Sequence, residues 1–244
     1  MPGREEGAMP NRSKHISKQY EKELKALREK ILAMGNRLVD MIDQTMHALV
    51  ERDSDLAKEM IEFDHEINRL EVEIDEMSLN IIALRQPAAG DLRFITLALK
   101  VTTDLERMGD LCVNIAERAL ELNEEPQLKP YLDLPKMAEA TMSMIRDSLE
   151  AFLRRDDQLA TQVTVRDDEV DQLNVQVFRE LLTFMLEDPK TITRATRLIF
   201  ISKYLERMAD HATNIAEQVI FMVKGKDIRH MGIAEERRKG PEKK

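Results

Sequence analysis

Apolar residues recur along most of this chain in alternating steps of three and four, the spacing that lines one side of an α-helix. Leu24, Leu27, Ile31, Met34, Leu38 and Met41 predict a first helix that ends near Asp53-Ser54, with Ser54 placed to cap the next one. Ile67, Leu70, Ile74, Met77, Ile81 and Leu84 predict a second. Gln86-Pro87 stops it, because proline has no amide hydrogen to continue the ladder. A third helix opens at Gly90-Asp91 and reaches about Leu122. A fourth covers roughly 135–155, and a fifth about 157–187, with Val170, Leu173, Val177, Leu181 and Phe184 inward. A sixth runs over about 191–224, after a break at Asp188-Pro189. No segment alternates apolar and polar residues with the period of two that a strand requires.

The pattern therefore predicts an all-α protein: two tandem, pseudo-symmetric up-down-up three-helix bundles built from six long helices. The expected organisation is a disordered tail over 1–16, a first bundle over 17–123 and a linker over 124–134. A second bundle over 135–225 and a frayed tail over 226–244 complete it. Eight glycines and eight prolines in 244 residues, with no tryptophan, agree with a helix-forming composition.

The two halves also repeat in detail. Nine of the thirteen positions from Leu105 to Glu117 match those from Leu205 to Glu217, and internal repetition of this kind decides the architecture. The matches include Glu106, Arg107, Asp110, Asn114 and Glu117 with their counterparts at 206, 207, 210, 214 and 217, residue types that packing alone does not demand. On a helical wheel Glu106, Asp110, Asn114 and Glu117 fall within an arc of about 80°, opposite Met108, Leu111, Cys112 and Ile115. Glu206, Asp210, Asn214 and Glu217 do the same.

Carboxylates one turn apart repel one another, so repeating the arrangement points to something that compensates, either a cation or the neighbouring Arg107 and Arg207. The preceding helices carry flanking stripes: Asp64, Asn68, Glu71 and Asp75 in one, Asp167, Asp171 and Asn174 in the other. Asn68 and Glu106 lie equally far from the Pro87 turn, and Asp171 and Glu206 flank Pro189 at similar distances. An antiparallel hairpin brings such pairs level. Oxygen ligands without thiolates suit Mg²⁺, Mn²⁺, iron or zinc. Four oxygen-bearing side chains can then converge in each bundle.

Charge and composition narrow the classes further. A net charge of −9 argues against nucleic acid as the main partner. The single Cys112 rules out an internal disulfide and a cysteine zinc site. No apolar run approaches a membrane span, and the first residues lack the apolar core of a secretory signal, so a cytoplasmic protein is expected. Glu62 and His65 have the Glu-x-x-His spacing of di-iron bundles, but the second half has Asp168 where His65 stands, which speaks against a ferritin-like metalloenzyme. There is no glycine-rich phosphate loop and no nucleophile–base pairing. A purely structural helical scaffold is the remaining alternative.

The doubled Glu-Arg-Met-x-Asp-x-x-x-Asn-Ile stretches resemble the repeats of the PhoU family of phosphate-signalling regulators. So do Ala83–Pro87 with Asp91-Leu92-Arg93, the Met185–Pro189 turn, and the Val223–His230 ending. The resemblance covers roughly residues 15–231. It implies two three-helix bundles, each with a surface metal cluster on Glu/Asp-x-x-x-Asp motifs, here Glu106/Asp110 and Glu206/Asp210, with Asp64 and Asp167/Asp171 as acidic partners. Asn68 departs from an all-carboxylate pattern and leaves the first site one charge poorer. The resemblance further implies no catalysis but contact, as a homodimer, with two partners. These are the ATPase of the high-affinity phosphate ABC transporter and the sensor histidine kinase of the phosphate two-component system. Membrane association would come only through those partners. Proteins of this kind damp phosphate uptake and keep the phosphate-starvation regulon off.

Overall fold

Asp53 and Asp156 start the same turn in the two halves. Each carboxylate accepts hydrogen bonds from the backbone amides two and three residues on, at 3.0 Å, satisfying donors that a helix start leaves open. The cap before the second helix is thus Asp53, not Ser54, which is the helix's first residue. The residues just before, Arg52 and Arg155, both take left-handed backbone, with φ of 61° and 57°.

A computed structural model describes the backbone of residues 11–224 and side chains from residue 18 onward. Its helices are α1 (Asn11–Glu51), α2 (Ser54–Arg85), α3 (Ala89–Asn123), α4 (Asp133–Arg154), α5 (Asp157–Glu187) and α6 (Ile192–Lys224), with a single 3₁₀ turn at Pro189–Thr191 before α6. Among the described residues there is no strand. Two boundaries move. Helix α1 begins at Asn11, so residues 11–16, expected in the tail, extend it; after Pro10 no proline or glycine interrupts the ladder until Gly35. Helix α4 begins at Asp133, two residues earlier than expected. Residues 1–10 and 225–244, where the rest of both expected tails falls, lie outside the described residues.

Helices α1–α3 and α4–α6 each form an up-down-up bundle, and the two do not stand apart on a spacer. One apolar core runs through all six helices. Phe94 at the start of α3 stacks on Phe152 at the end of α4, ring centroids 4.9 Å apart and 5° from parallel. Arg28 lies over the outer side of the Phe94 ring, 4.8 Å from its centroid. Helices α1 and α4 come so close that a Cβ on Gly35 would overlap Leu149. The segment between bundles is strapped down: Tyr131 is buried, Arg194 donates to the Pro126 carbonyl at 2.8 Å, and Lys129 pairs with Glu180.

The apolar seams of α1 are buried as expected, as are Ile67, Ile74, Ile81, Val170, Val177 and Leu181. Leu84 is the exception, 72 % exposed, because α2 ends one residue later and its last turn overhangs the core. Among the described residues no helix is long and apolar enough to cross a membrane.

Candidate functional site

The two hairpins α2–α3 and α5–α6 each bring an acidic stripe from one helix against an acidic stripe from the next. In the first, Asp64 is 8 % exposed and sits beside Gly109. Asn68 donates to its Oδ2 at 2.7 Å, while Oδ1 has no hydrogen-bond partner. Burial pushes the Asp64 carboxyl above the usual carboxylate range, and the charge of Asp110 adds to that. Burial also raises Glu106, with Asp110, Glu71 and Asp64 contributing repulsion in that order. Glu71 is raised by burial, then by Asp75 and Asp110. Asp75 is raised by burial alone, and its Oδ1 is buried without a partner.

The second hairpin repeats the arrangement with sharper crowding. Burial first, then Asp210 and Asp171, push the Asp167 carboxyl up to about 6. The Asp210 side chain reaches solvent, yet the protein packed around its carboxyl raises it, and Glu206 and Asp171 raise it further. Glu206 is largely buried; one of its oxygens takes Lys203, and Oε2 has no partner. Asn174 turns its oxygen to the Ser202 hydroxyl, which donates at 3.0 Å.

The hairpins bring Asp64 to Asp110 and Glu106, and Asp167 and Asp171 to Asp210, whereas the spacing sets Asn68 level with Glu106 and Asp171 level with Glu206. Glu71 and Asp75, seen from sequence only as part of a stripe, join the first cluster. Glu71 lies seven residues from Asp64, two turns along the same face, a signal the sequence already carried. Asn114 and Glu117 stay outside. Asn114 donates to the Asp110 carbonyl at 2.9 Å, and Glu117 faces Arg118 at 3.6 Å.

Arg107 and Arg207 brace the clusters by no direct pairing, though the charge of Arg107 offsets part of the rise at Glu106. Neither forms an ion pair among the described residues, since one position after the glutamate turns each by about 100° away from it. Compensation within the second cluster comes from Lys203. Glu62 and His65 face each other at 3.8 Å, both about four-fifths exposed, on the outside of α2. Cys112 is buried, and burial followed by the charge of Asp64 pushes its thiol far up, so it is no metal-binding thiolate.

Several carboxylates held above their ordinary range, with buried oxygens lacking donors, form a donor set that a hard cation fits. As the side chains lie, no three His, Cys, Asp or Glu among the described residues converge closely enough to hold a metal ion. A bound cation would therefore draw the longer carboxylates, Glu106 and Glu206, inward.

Beside the clusters, α2 and α5 expose apolar side chains at matching positions, Val72 and Leu79 on one, Val175 and Leu182 on the other, and α5 adds Phe178. Seven residues separate the two members of each pair, which places them on one face of their helix.

The family model for the PhoU domain matches this chain twice, over residues 31–119 and 134–219. Over 220 residues the chain is 43 % identical to the phosphate-specific transport system accessory protein PhoU homolog of Pseudomonas putida, covering 90 % of this chain and 86 % of that one. It is 44 % identical over 214 residues to the homolog of Aquifex aeolicus, covering 88 % and 97 %. Over 222 residues it is 37 % identical to phosphate-specific transport system accessory protein PhoU of Escherichia coli, covering 91 % and 92 %. The crystal structure of PhoU from Pseudomonas aeruginosa superposes with a TM-score of 0.80 at 40 % identity, covering 85 % of this chain and all of that one. The phosphate transport system regulatory protein PhoU from Streptococcus pneumoniae gives 0.79 at 30 % identity, covering 86 % and 99 %.

Proposed function

The chain belongs to the PhoU family, and from that premise we propose that it is a cytoplasmic regulator of phosphate homeostasis that restrains phosphate uptake and the phosphate-starvation regulon. It acts by contact rather than by catalysis. Its partners are the ATPase of a phosphate ABC transporter and a sensor histidine kinase, and it works as a homodimer. The observation that carries this reading is the extent of the match: both bundles correspond to the PhoU domain, and relatives named as accessory proteins of phosphate-specific transport align over about nine-tenths of the chain. The exposed apolar positions on α2 and α5 support contact as the mode of action.

Metal ions on the acidic faces belong to the same proposal. Asp64, Glu106 and Asp110, joined by Glu71, would hold one; Asp167, Asp171, Glu206 and Asp210 would hold the other. A bound cation supplies positive charge that relieves the mutual repulsion of these carboxylates and ties α2 to α3 and α5 to α6. Iron, manganese, magnesium and zinc all accept such ligands.

The test is a pull-down from cells grown in high and in low phosphate. It compares the wild type with a variant in which Glu106, Asp110, Glu206 and Asp210 are all alanine. Recovery of the transporter ATPase or the sensor kinase with the wild type supports the reading. Failure to recover either under both conditions refutes it, and equal recovery by the four-alanine variant removes the metal sites from partner binding.

A further inference from the structure

Helices α3 and α6 run antiparallel along the seam between the two bundles, and a cleft of about 480 Å³ opens there. Lys100, Thr103, Asp104 and Arg107 line it from α3, Asn214 and Gln218 from α6. Lys100 and Arg107 are seven residues apart, on the same face and about 10 Å apart along the helix. Neither makes a hydrogen bond or an ion pair among the described residues. In a protein of net charge −9, several cations on these helices are engaged, Arg118 with Glu121, Arg197 with Glu121 and Glu125, and Lys203 with Glu206, whereas Lys100 and Arg107 line one cleft with no such partner.

The single acid of the cleft is buried at its floor. Asp104 Oδ1 meets His211 Nδ1 at 2.9 Å, and Oδ2 accepts from Gln218 at 3.5 Å. A carboxylate has about four acceptor positions, so Asp104 can still take a proton donor from the cleft side.

The other end of the seam keeps Arg207 and Asn114 in place of Arg107 and Asn214 but lacks the rest. Displacement by one hundred residues puts Phe200 in place of Lys100 and Tyr204 in place of Asp104, with their rings stacked at 6.3 Å. Leu111 stands where His211 would be, and Arg118 where Gln218 would be. The duplication copied the fold and the acidic stripes, but the cationic cleft exists once.

We propose that this cleft binds a phosphate-bearing anion. Lys100 and Arg107, two turns apart and without an ion pair among the described residues, match a dianion spanning them, with the Asn214 amide as a neutral donor. Hydrogen phosphate also carries an O–H that can donate to Asp104, which turns the one repulsive group in the cleft into an acceptor. Sulfate has the same size and charge at neutral pH but no such proton. The site lies beside the acidic clusters, with Arg107 acting on Glu106 and His211 on Asp210 through their charges, but it uses none of their carboxylates, and it makes the chain itself a receptor for the anion. The inference does not rest on the partner contacts proposed above.

The experiment is calorimetric titration of the full-length chain after exhaustive treatment with chelator, so that no metal ion can recruit the anion. Inorganic phosphate is the first arm, ATP the second, and sulfate the competitor. One saturable site per chain is expected. Phosphate tighter than ATP identifies the free ion as the ligand, and the reverse identifies the phosphate group of a nucleotide. K100M/R107M is expected to weaken binding at least tenfold, with the circular dichroism of the fold unchanged. R207M, altering the pseudo-equivalent arginine at the other end of the seam, is expected to leave it unchanged. D104N is expected to narrow the preference for phosphate over sulfate. The proposal is overturned by the absence of saturable binding of either anion, by undiminished binding in K100M/R107M, or by wild-type protein that takes sulfate as tightly as phosphate.

Discussion

Gly109 is the residue that makes room for Asp64: a Cβ built at position 109 would lie 2.8 Å from Asp64 Oδ1 and 3.3 Å from Ile67 Cγ2. The second bundle has Ala209 at the same point of its repeat. The two acidic clusters are therefore not interchangeable, and the first keeps its buried carboxylate in place only because α3 presents a bare backbone to it.

Replacing Gly109 with alanine sets two effects against each other. Alanine favours helix by roughly 1 kcal/mol, while the methyl group forces the Asp64 carboxyl aside. Stability is expected to change by less than about 1 kcal/mol, because the displaced atom is the end of a short side chain. Cation binding at the first cluster should nonetheless weaken several-fold. Manganese titration in an E206A/D210A background, which isolates that cluster, checks this, and unchanged affinity would refute the link between Gly109 and the site.

Phe152 and Phe94 join the bundles through one core. Phe152→Ala removes a fully buried ring and should cost about 3–5 kcal/mol. Because the core is continuous across all six helices, thermal unfolding should remain a single transition at a lower temperature. Two separated transitions would show that the bundles fold independently.

The Asp167 carboxyl makes a pH prediction. Its folded-state value is raised from 3.8 to about 6, so it favours the folded state while protonated. That contribution is complete below about pH 4 and is lost as the pH rises through about 6. Asp167→Asn should accordingly be no better than wild type at pH 4 and more stable at pH 7, by about 1 kcal/mol once solvent screening of this half-exposed group is allowed for. Urea unfolding of the metal-free proteins at the two pH values measures it. A gap that narrows with rising pH would be the wrong sign. Adding Mn²⁺ at pH 7 should reverse the order, since the cation stabilises the aspartate form.

Arg52 closes the far end of the first bundle. Its Nη2 donates to the carbonyls of Leu122, Asn123 and Glu125 at 3.1, 2.9 and 2.6 Å, adding to the Glu125 backbone amide from which the Leu122 carbonyl already accepts and serving carbonyls that a helix end leaves open. Arg52→Met should cost about 1–3 kcal/mol and should first be visible as faster amide exchange in the last two turns of α3. Protection unchanged there would show that solvent serves these carbonyls equally well.

Much of this was legible from residue types and spacing. The steps of three and four located six helices because each must bury one continuous apolar face, and breaks such as Gln86-Pro87 and Asp188-Pro189 are chemical stops that no tertiary context overrides. Equal distances to a turn placed Asn68 level with Glu106 and Asp171 level with Glu206, since antiparallel helices keep that register, whereas the closeness of Asp64 to Asp110 and of Asp167 to Asp210 came from the packed hairpins. The acidic stripes were readable from residue spacing, although Glu71 required knowing how far the stripe of α2 continues to face α3.

Other features had no signature in one dimension. That the bundles share a core, with Phe94 on Phe152 and Gly35 against Leu149, depends on how two similar units pack, and local periodicity does not encode a crossing between distant helices. That Arg107 forms no ion pair with Glu106 while Lys203 holds Glu206 depends on which rotamers the neighbouring helix leaves open. The cleft of Lys100, Arg107 and Asn214 joins residues more than a hundred positions apart. The sequence alone determined the helices, their duplication and the acidic faces, because those follow from interactions within one or two turns and across short loops. Only the tertiary structure decided which carboxyls are buried, which cations are left without an ion pair and where the two halves differ, because burial and charge pairing are properties of the packed whole.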